Sequence, residues 1–177
     1  MSAPVQRVAI LGAESSGKST LAAALAEQHG TVWVPEYLRE FVDAHQRVPR
    51  EEDQYGIGLT QIAREDAAAL RANGFLLCET TPLMTALYSK VYWGRVDAQL
   101  AALDAVHDYA LTLVTAPDGP WVPDGLQRES EAVRQSVHAL VLANLRARGI
   151  AHTVVAGNPA QRMASVSGLL DGLRASV

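Results

Sequence analysis

Val8-Ala9-Ile10-Leu11-Gly12-Ala13-Glu14-Ser15-Ser16-Gly17-Lys18-Ser19-Thr20 joins a short apolar run, through a glycine-rich turn, to a segment of helical period. From Gly12 to Ser19 the turn satisfies the spacing GxxxxGK followed by Ser or Thr. Each fixed position has a physical task. The two glycines let backbone N–H groups curl around phosphate oxygens, and the helix that follows adds the positive end of its dipole. Glu14, Ser15 and Ser16 fill the loop; Lys18 is placed to reach the β and γ phosphates, the Ser19 hydroxyl to hold Mg²⁺, and Thr20 to face the α-phosphate side. A glycine-rich turn that matches by accident is the rival reading. A strand before the turn and a helix after it decide for nucleotide binding, with ATP and Mg²⁺ as the expected cofactors.

Outward from this turn, short β-branched or apolar runs alternate with longer helical segments, the pattern of βα units around a mainly parallel sheet. Strands are expected at Arg7 to Leu11, Thr31 to Val34, Phe75 to Cys78, Leu111 to Thr115 and His152 to Ala156. Helices are expected at Lys18 to Gln28, Glu51 to Ala72, Leu83 to Lys90, Ala98 to His107, Glu129 to Arg148 and Ala160 to Leu173. The long second helix should turn Leu59, Ile62, Ala63 and Leu70 inward, and Gly149 should stop the penultimate one. The expected fold class is α/β: a three-layer P-loop kinase fold whose five-stranded, mainly parallel sheet carries helices on both faces. Residues 1–177 read as one such domain, with a lid-like loop over residues 116–134 that is rich in Pro and Gly.

Composition narrows the function classes. A formal net charge of -4 over 177 residues disfavours a protein whose affinity rests on neutralising nucleic-acid phosphates. Cys78 is the only cysteine, so no intrachain disulfide can form, and its apolar neighbours suggest a buried, inert thiol. No run reaches the roughly 18 apolar residues of a membrane span. The expectation is a cytoplasmic enzyme acting on a small-molecule substrate, with neither nucleic acid nor membrane as partner and with its oligomeric state left open.

In open α/β sheets the ligand lies beyond the carboxyl ends of the strands, so acidic residues there carry the chemistry. Glu36 follows the second strand and Glu79 the third. A kinase needs one carboxylate to orient or deprotonate the attacking hydroxyl and another to hold the metal; Glu36 suits the first role and Glu79 the second. Capping of the following helix is the competing reading for each. Tyr37 and Arg39, beside Glu36, and Thr80, beside Glu79, are the candidate acceptor contacts, whereas Trp33 reads as packing. Arg128 and Arg134, at the loop-to-helix hinge, are candidate cations that arrive on closure to neutralise the transferring group. Asn158 and Arg162, at the last strand's end, are the expected seat of the adenine.

Taken in order, Gly12 to Thr20, Glu36-Tyr37-Leu38-Arg39-Glu40-Phe41, Glu79-Thr80 and Trp121-Val122-Pro123-Asp124-Gly125-Leu126 resemble the ribosylnicotinamide kinase domain of the NadR-like P-loop kinase family. The resemblance implies transfer of the ATP γ-phosphate to the ribose 5′-hydroxyl of nicotinamide riboside, giving nicotinamide mononucleotide. Where that family has Asp-Thr-Asp this chain has Glu79-Thr80-Thr81, and its Arg after Gly-Leu is replaced by Gln127 with Arg128 adjacent. The first strand starts close to Met1, so the adenylyltransferase and DNA-binding activities that can accompany this kinase are not expected in the chain. A kinase for another nucleoside or small metabolite, and a regulatory nucleotide-binding ATPase that transfers nothing, are the alternatives.

Overall fold

Val8, Ala9, Ile10 and Leu11 are fully buried because the strand that holds them, β1 (Gln6–Leu11), lies at the centre of the sheet. The computed structural model describes residues 5–123 and 130–175. The chain continues through α1 (Lys18–His29), β2 (Trp33–Val34), α2 (Tyr37–His45), one 3-10 turn (Glu51–Asp53), α3 (Gln54–Ala69), β3 (Phe75–Glu79), α4 (Pro82–Trp93) and α5 (Ala98–Val106). It closes with β4 (Leu111–Thr115), α6 (Glu131–Ala147), β5 (Thr153–Val155) and α7 (Pro159–Ala175). The strands run in the order β2-β3-β1-β4-β5, every pairing parallel.

Such a sheet must be covered twice, and side chains alternate accordingly. Val8, Ile10, Phe75, Leu77, Leu113 and Val155 pack under α1 and α7. On the opposite face Ala9, Leu11 and Val114 meet α4 and α6, while Val34, Leu76 and Cys78 meet Ala68 of α3. The three-layer α/β architecture is thus as the sequence predicts. From β1 the chain goes to β2 at the sheet edge, returns to β3 beside β1 and then crosses to β4 and β5 on the other side; such a change of direction opens a crevice beyond the carboxyl ends of β1 and β3.

Three elements differ from expectation. The second strand keeps only Trp33 and Val34, paired with Leu77 and Cys78; it loses Thr31 and Val32 from its start, where the Thr31 hydroxyl rather than the backbone ladder bonds Phe75 O at 2.6 Å. Tyr37–His45 forms a helix that the expected elements do not include, with Phe41 as its buried residue. The long helix starts three residues late, after its 3-10 turn, and is rotated: Gln54, Ile57, Gly58, Gln61, Glu65 and Ala68 face inward, while Leu59 and Leu70 are 45% and 89% exposed. Ile62 is half-buried and Ala63 exposed. Polar side chains that find partners inside explain the rotation, together with Gly58, where an added Cβ would stand 3.0 Å from Leu100 of α5. Gly149, at φ 65°, follows the end of α6 as expected. Among the described residues, no helix is long and apolar enough to cross a membrane.

Candidate active site

The turn after β1 is held in a shape that few residues tolerate. Gly12 has φ 152°, and a Cβ there would run into Thr115 Oγ1; Ser15 and Gly17 take φ 54° and 86°. The Ser16 hydroxyl donates to Ala13 O at 2.7 Å and shares a 2.6 Å hydrogen bond with Thr115 Oγ1. Gly17 caps α1 without a side-chain bond and the first turn holds no acidic residue, so the helix's first N–H groups stay open to an anion. Lys18 is buried and folds back on the loop, its Nζ donating to Ala13 O at 3.0 Å.

Two buried arginines brace this turn from α6 and α7. Arg134, 2% exposed, donates from Nη1 to Ser15 O at 3.0 Å and from Nη2 to Gly119 O at 2.7 Å, and pairs with Glu131 at 2.8 Å. Arg162 donates to Ser16 O at 2.6 Å, to Ala116 O and Gly157 O at 2.9 Å each, and to the Asp118 carboxylate. Burial alone would raise the Asp118 pKa; the Gly157 N–H and Arg162 hold it below its ordinary value. A guanidinium on each loop carbonyl turns those oxygens away from the groove and leaves N–H groups for phosphate.

The sequence expects Arg134 to be a closing cation and Asn158 and Arg162 to seat the adenine; here both guanidinium groups engage backbone carbonyls, and Asn158 exchanges 2.9 Å hydrogen bonds with Gln161 at the start of α7. Arg128 lies outside the described residues.

Ser19 and Glu79 meet across the sheet end. The Ser19 hydroxyl donates to Glu79 Oε1 at 2.6 Å, and the other carboxylate oxygen, Oε2, is buried without a hydrogen-bond partner. A buried, half-satisfied carboxylate beside a hydroxyl on the first turn of α1 is a donor set that fits Mg²⁺. The groove formed by residues 15–20 with Glu79, Val122 and Pro123 has a volume of about 310 Å³.

Beside it lies a larger cavity of about 820 Å³, within the size range of small-molecule sites. Lys18 and Arg39 line both spaces. Glu36 lines the cavity from the N-cap position of α2 but makes no capping bond, which removes the capping explanation; Arg39 Nε stands 3.8 Å from its carboxylate. Thr80 also lines the cavity, at φ 55°, a costly conformation for a β-branched residue, and its buried hydroxyl lacks a hydrogen-bond partner. Glu79 caps nothing either, its Oε1 being held by Ser19.

Tyr37 falls outside both spaces; the Arg64 guanidinium lies over its ring at 4.6 Å. The aromatic wall comes instead from α4, where Tyr88, Tyr92 and Trp93 line the cavity and Tyr88 stacks on Tyr92 with centroids 5.9 Å apart. The four-residue spacing of Tyr88 and Tyr92 is a signal that could have found this wall, since it places both on one helix face.

Residues 7–162 match the family described as AAA domain. The trifunctional NAD biosynthesis/regulator protein NadR of Salmonella typhimurium is 33% identical over 151 residues, which cover 82% of this chain and 37% of that protein. The chain therefore spans little more than a third of that relative's length. A NadR crystal structure in complex with NR shares the fold, with TM-score 0.77 at 19% identity over 95% of this chain and 51% of that one. So does thymidylate kinase from Candida albicans, with TM-score 0.65 at 14% identity over 97% of this chain and 93% of that one.

Proposed function

Since the chain belongs to the AAA-domain family and is homologous to NadR, we propose that it is a kinase that transfers the γ-phosphoryl group of ATP to the ribose 5′-hydroxyl of nicotinamide riboside, giving nicotinamide mononucleotide. The observation that carries this reading is the meeting of the two spaces at Lys18 and Arg39, with Glu36 on one side and the Ser19–Glu79 pair on the other.

The loop from Gly12 to Thr20 holds the triphosphate, and Lys18 exchanges its bond to Ala13 O for phosphate oxygens. Ser19 and Glu79 would hold Mg²⁺, which would supply positive charge against the triphosphate. Glu36 accepts the proton of the acceptor hydroxyl as that oxygen bonds to the γ-phosphorus. The bond from γ-phosphorus to the bridging oxygen breaks, and ADP leaves. Arg39, lining both spaces, supplies positive charge to the group in transit, the task the sequence assigns to lid arginines. A cationic pyridinium ring suits a cavity walled by Tyr88, Tyr92 and Trp93 and carrying Glu36 and Asp43.

The test incubates the purified protein with Mg·ATP and a panel containing nicotinamide riboside, other nucleosides and deoxynucleosides. One ADP should form per nicotinamide riboside phosphorylated, and Glu36→Gln should lower kcat by about 10²- to 10⁴-fold, the usual worth of a general base, with ATP affinity kept. Transfer only to a different nucleoside would change the acceptor. ATP binding without transfer, indifferent to Glu36→Gln, would favour a regulatory nucleotide-binding protein, a reading that Thr81 supports by standing where the family has a second carboxylate.

A further inference from the structure

Glu36 and Glu79 sit at the ends of neighbouring strands, and their separation decides whether a hydroxyl beside the first faces a phosphoryl group held beside the second. The β2–β3 ladder does not reach far enough to set it. Its last pair is Val34 with Cys78, and Pro35 has no N–H to continue it.

A side chain from α3 occupies the place of the missing ladder bonds. Gln61, only 3% exposed, donates from Nε2 to Pro35 O at 3.3 Å and to Glu79 O at 3.1 Å, and its Oε1 accepts from Tyr37 N–H at 2.9 Å. One amide orientation satisfies all three, since a flip would set NH₂ against N–H and oxygen against two carbonyls. Glu36 is bracketed in this way, with one bond to the residue before it, one to the residue after it, and a third tying both to the backbone of Glu79. The Tyr37 N–H belongs to the first turn of α2, where no intrahelical acceptor exists for it. Gln61 also lines the larger cavity, so the clamp stands at the site rather than behind it.

We infer that Gln61 is a positioning residue for phosphoryl transfer, holding the Glu36 and Glu79 strand ends at their working separation; the inference rests on the kinase reading and extends it. Its role is to keep the proton acceptor and the metal-holding carboxylate in register while substrates enter and leave.

Two variants test it. Gln61→Met keeps most of the volume and removes every hydrogen bond, whereas Gln61→Glu keeps the shape and an acceptor for Tyr37 N–H but loses the donors to the two carbonyls. In both, kcat for acceptor phosphorylation should fall about 10- to 100-fold, the scale of a misplacement near 1 Å. The ATP dissociation constant should stay within about twofold, since the lost interaction acts on geometry in the transition state rather than on nucleotide binding. ADP formed per acceptor phosphorylated should rise above one, because a poorly aligned acceptor leaves the γ-phosphoryl group open to water.

A residue that served only the fold would lower the melting temperature and leave kcat per folded molecule and the one-to-one ratio unchanged; that result overturns the proposal. Loss of the folded state in both variants, read by circular dichroism, overturns it equally. Wild-type turnover is measured first. Its absence with every acceptor refutes the kinase reading, whereas wild-type turnover with unaffected variants refutes this inference alone.

Discussion

At the residue scale, Glu65 shows how a polar side chain comes to occupy a core position. It is fully buried on α3, both carboxylate oxygens accept from the Tyr109 hydroxyl at 2.9 and 3.2 Å, and Arg7 stands 3.5 Å away. Burial outweighs these partners and pushes its pKa up to about 7. Between its ordinary value and 7 the folded protein therefore binds more protons than the unfolded chain, so this group's contribution is complete at low pH and is lost as pH rises through 7. The loss amounts to about 3 kcal/mol, from 1.36 kcal/mol per pKa unit. Glu65→Gln should flatten the dependence: denaturant melts at about pH 4 should nearly coincide with wild type, and at about pH 8 the variant should be the more stable by up to about 3 kcal/mol. Parallel curves across that range would show that the carboxyl ionises as freely in the fold as outside it. Cys78, fully buried nearby, has its thiol pKa pushed well up by burial and by the Glu65 charge, in keeping with the inert role its neighbours suggest. Nothing in the local sequence marks Glu65 as buried, because its partners Arg7 and Tyr109 lie 58 and 44 positions away by number.

At the scale of elements, α6 and α7 each send one arginine to the phosphate-loop carbonyls, and this changes what their loss should do. Arg162→Met removes bonds to Ser16 O, Ala116 O and Gly157 O and leaves Asp118, 36% exposed, without its guanidinium. Breaking a buried pair costs roughly 3–5 kcal/mol, and the partial exposure of Asp118 places the expectation near 3 kcal/mol. Thermal unfolding should show that loss together with a tenfold or greater weakening of ATP binding, on the order of 1.4 kcal/mol. A cation that acted only on the transferring group would lower kcat and leave stability and ATP affinity alone; that pattern would refute the bracing role. The sequence places Arg134 at a loop-to-helix hinge and Arg162 at the last strand's end, but not their direction, because a guanidinium near a loop can point to solvent, substrate or backbone with the same spacing. The helix α2 likewise shows its role only in the packed molecule, where Phe41 is buried and the Arg64 guanidinium lies over Tyr37.

Across the whole molecule, triphosphate, Mg²⁺ and the sheet should be thermodynamically linked. A ligand that binds only the folded state stabilises it by about 2.7 kcal/mol at 100 times its dissociation constant, which for a chain of this size raises Tm by roughly 5–10 °C. Mg·ATP should produce such a shift in thermal melts, and chelating the metal should shrink it, since Glu79 would then face the triphosphate with no cation between them. An equal shift with and without Mg²⁺ would detach the Ser19–Glu79 pair from metal binding. By itself the sequence determined the α/β class, the β1–loop–α1 junction, and the strand-end positions of Glu36 and Glu79. These are local facts: glycine spacing, apolar runs and the residue following a strand need no long-range contact to be read. Only the tertiary structure decided that Gln61 spans two strand ends, that Arg134 and Arg162 brace the loop, and that Tyr88, Tyr92 and Trp93 wall the cavity in place of Tyr37. Each of those depends on the rotation of a helix about its axis, and that rotation is set by which polar side chains find partners in the interior, a property of the packed whole that hydrophobic period alone does not carry.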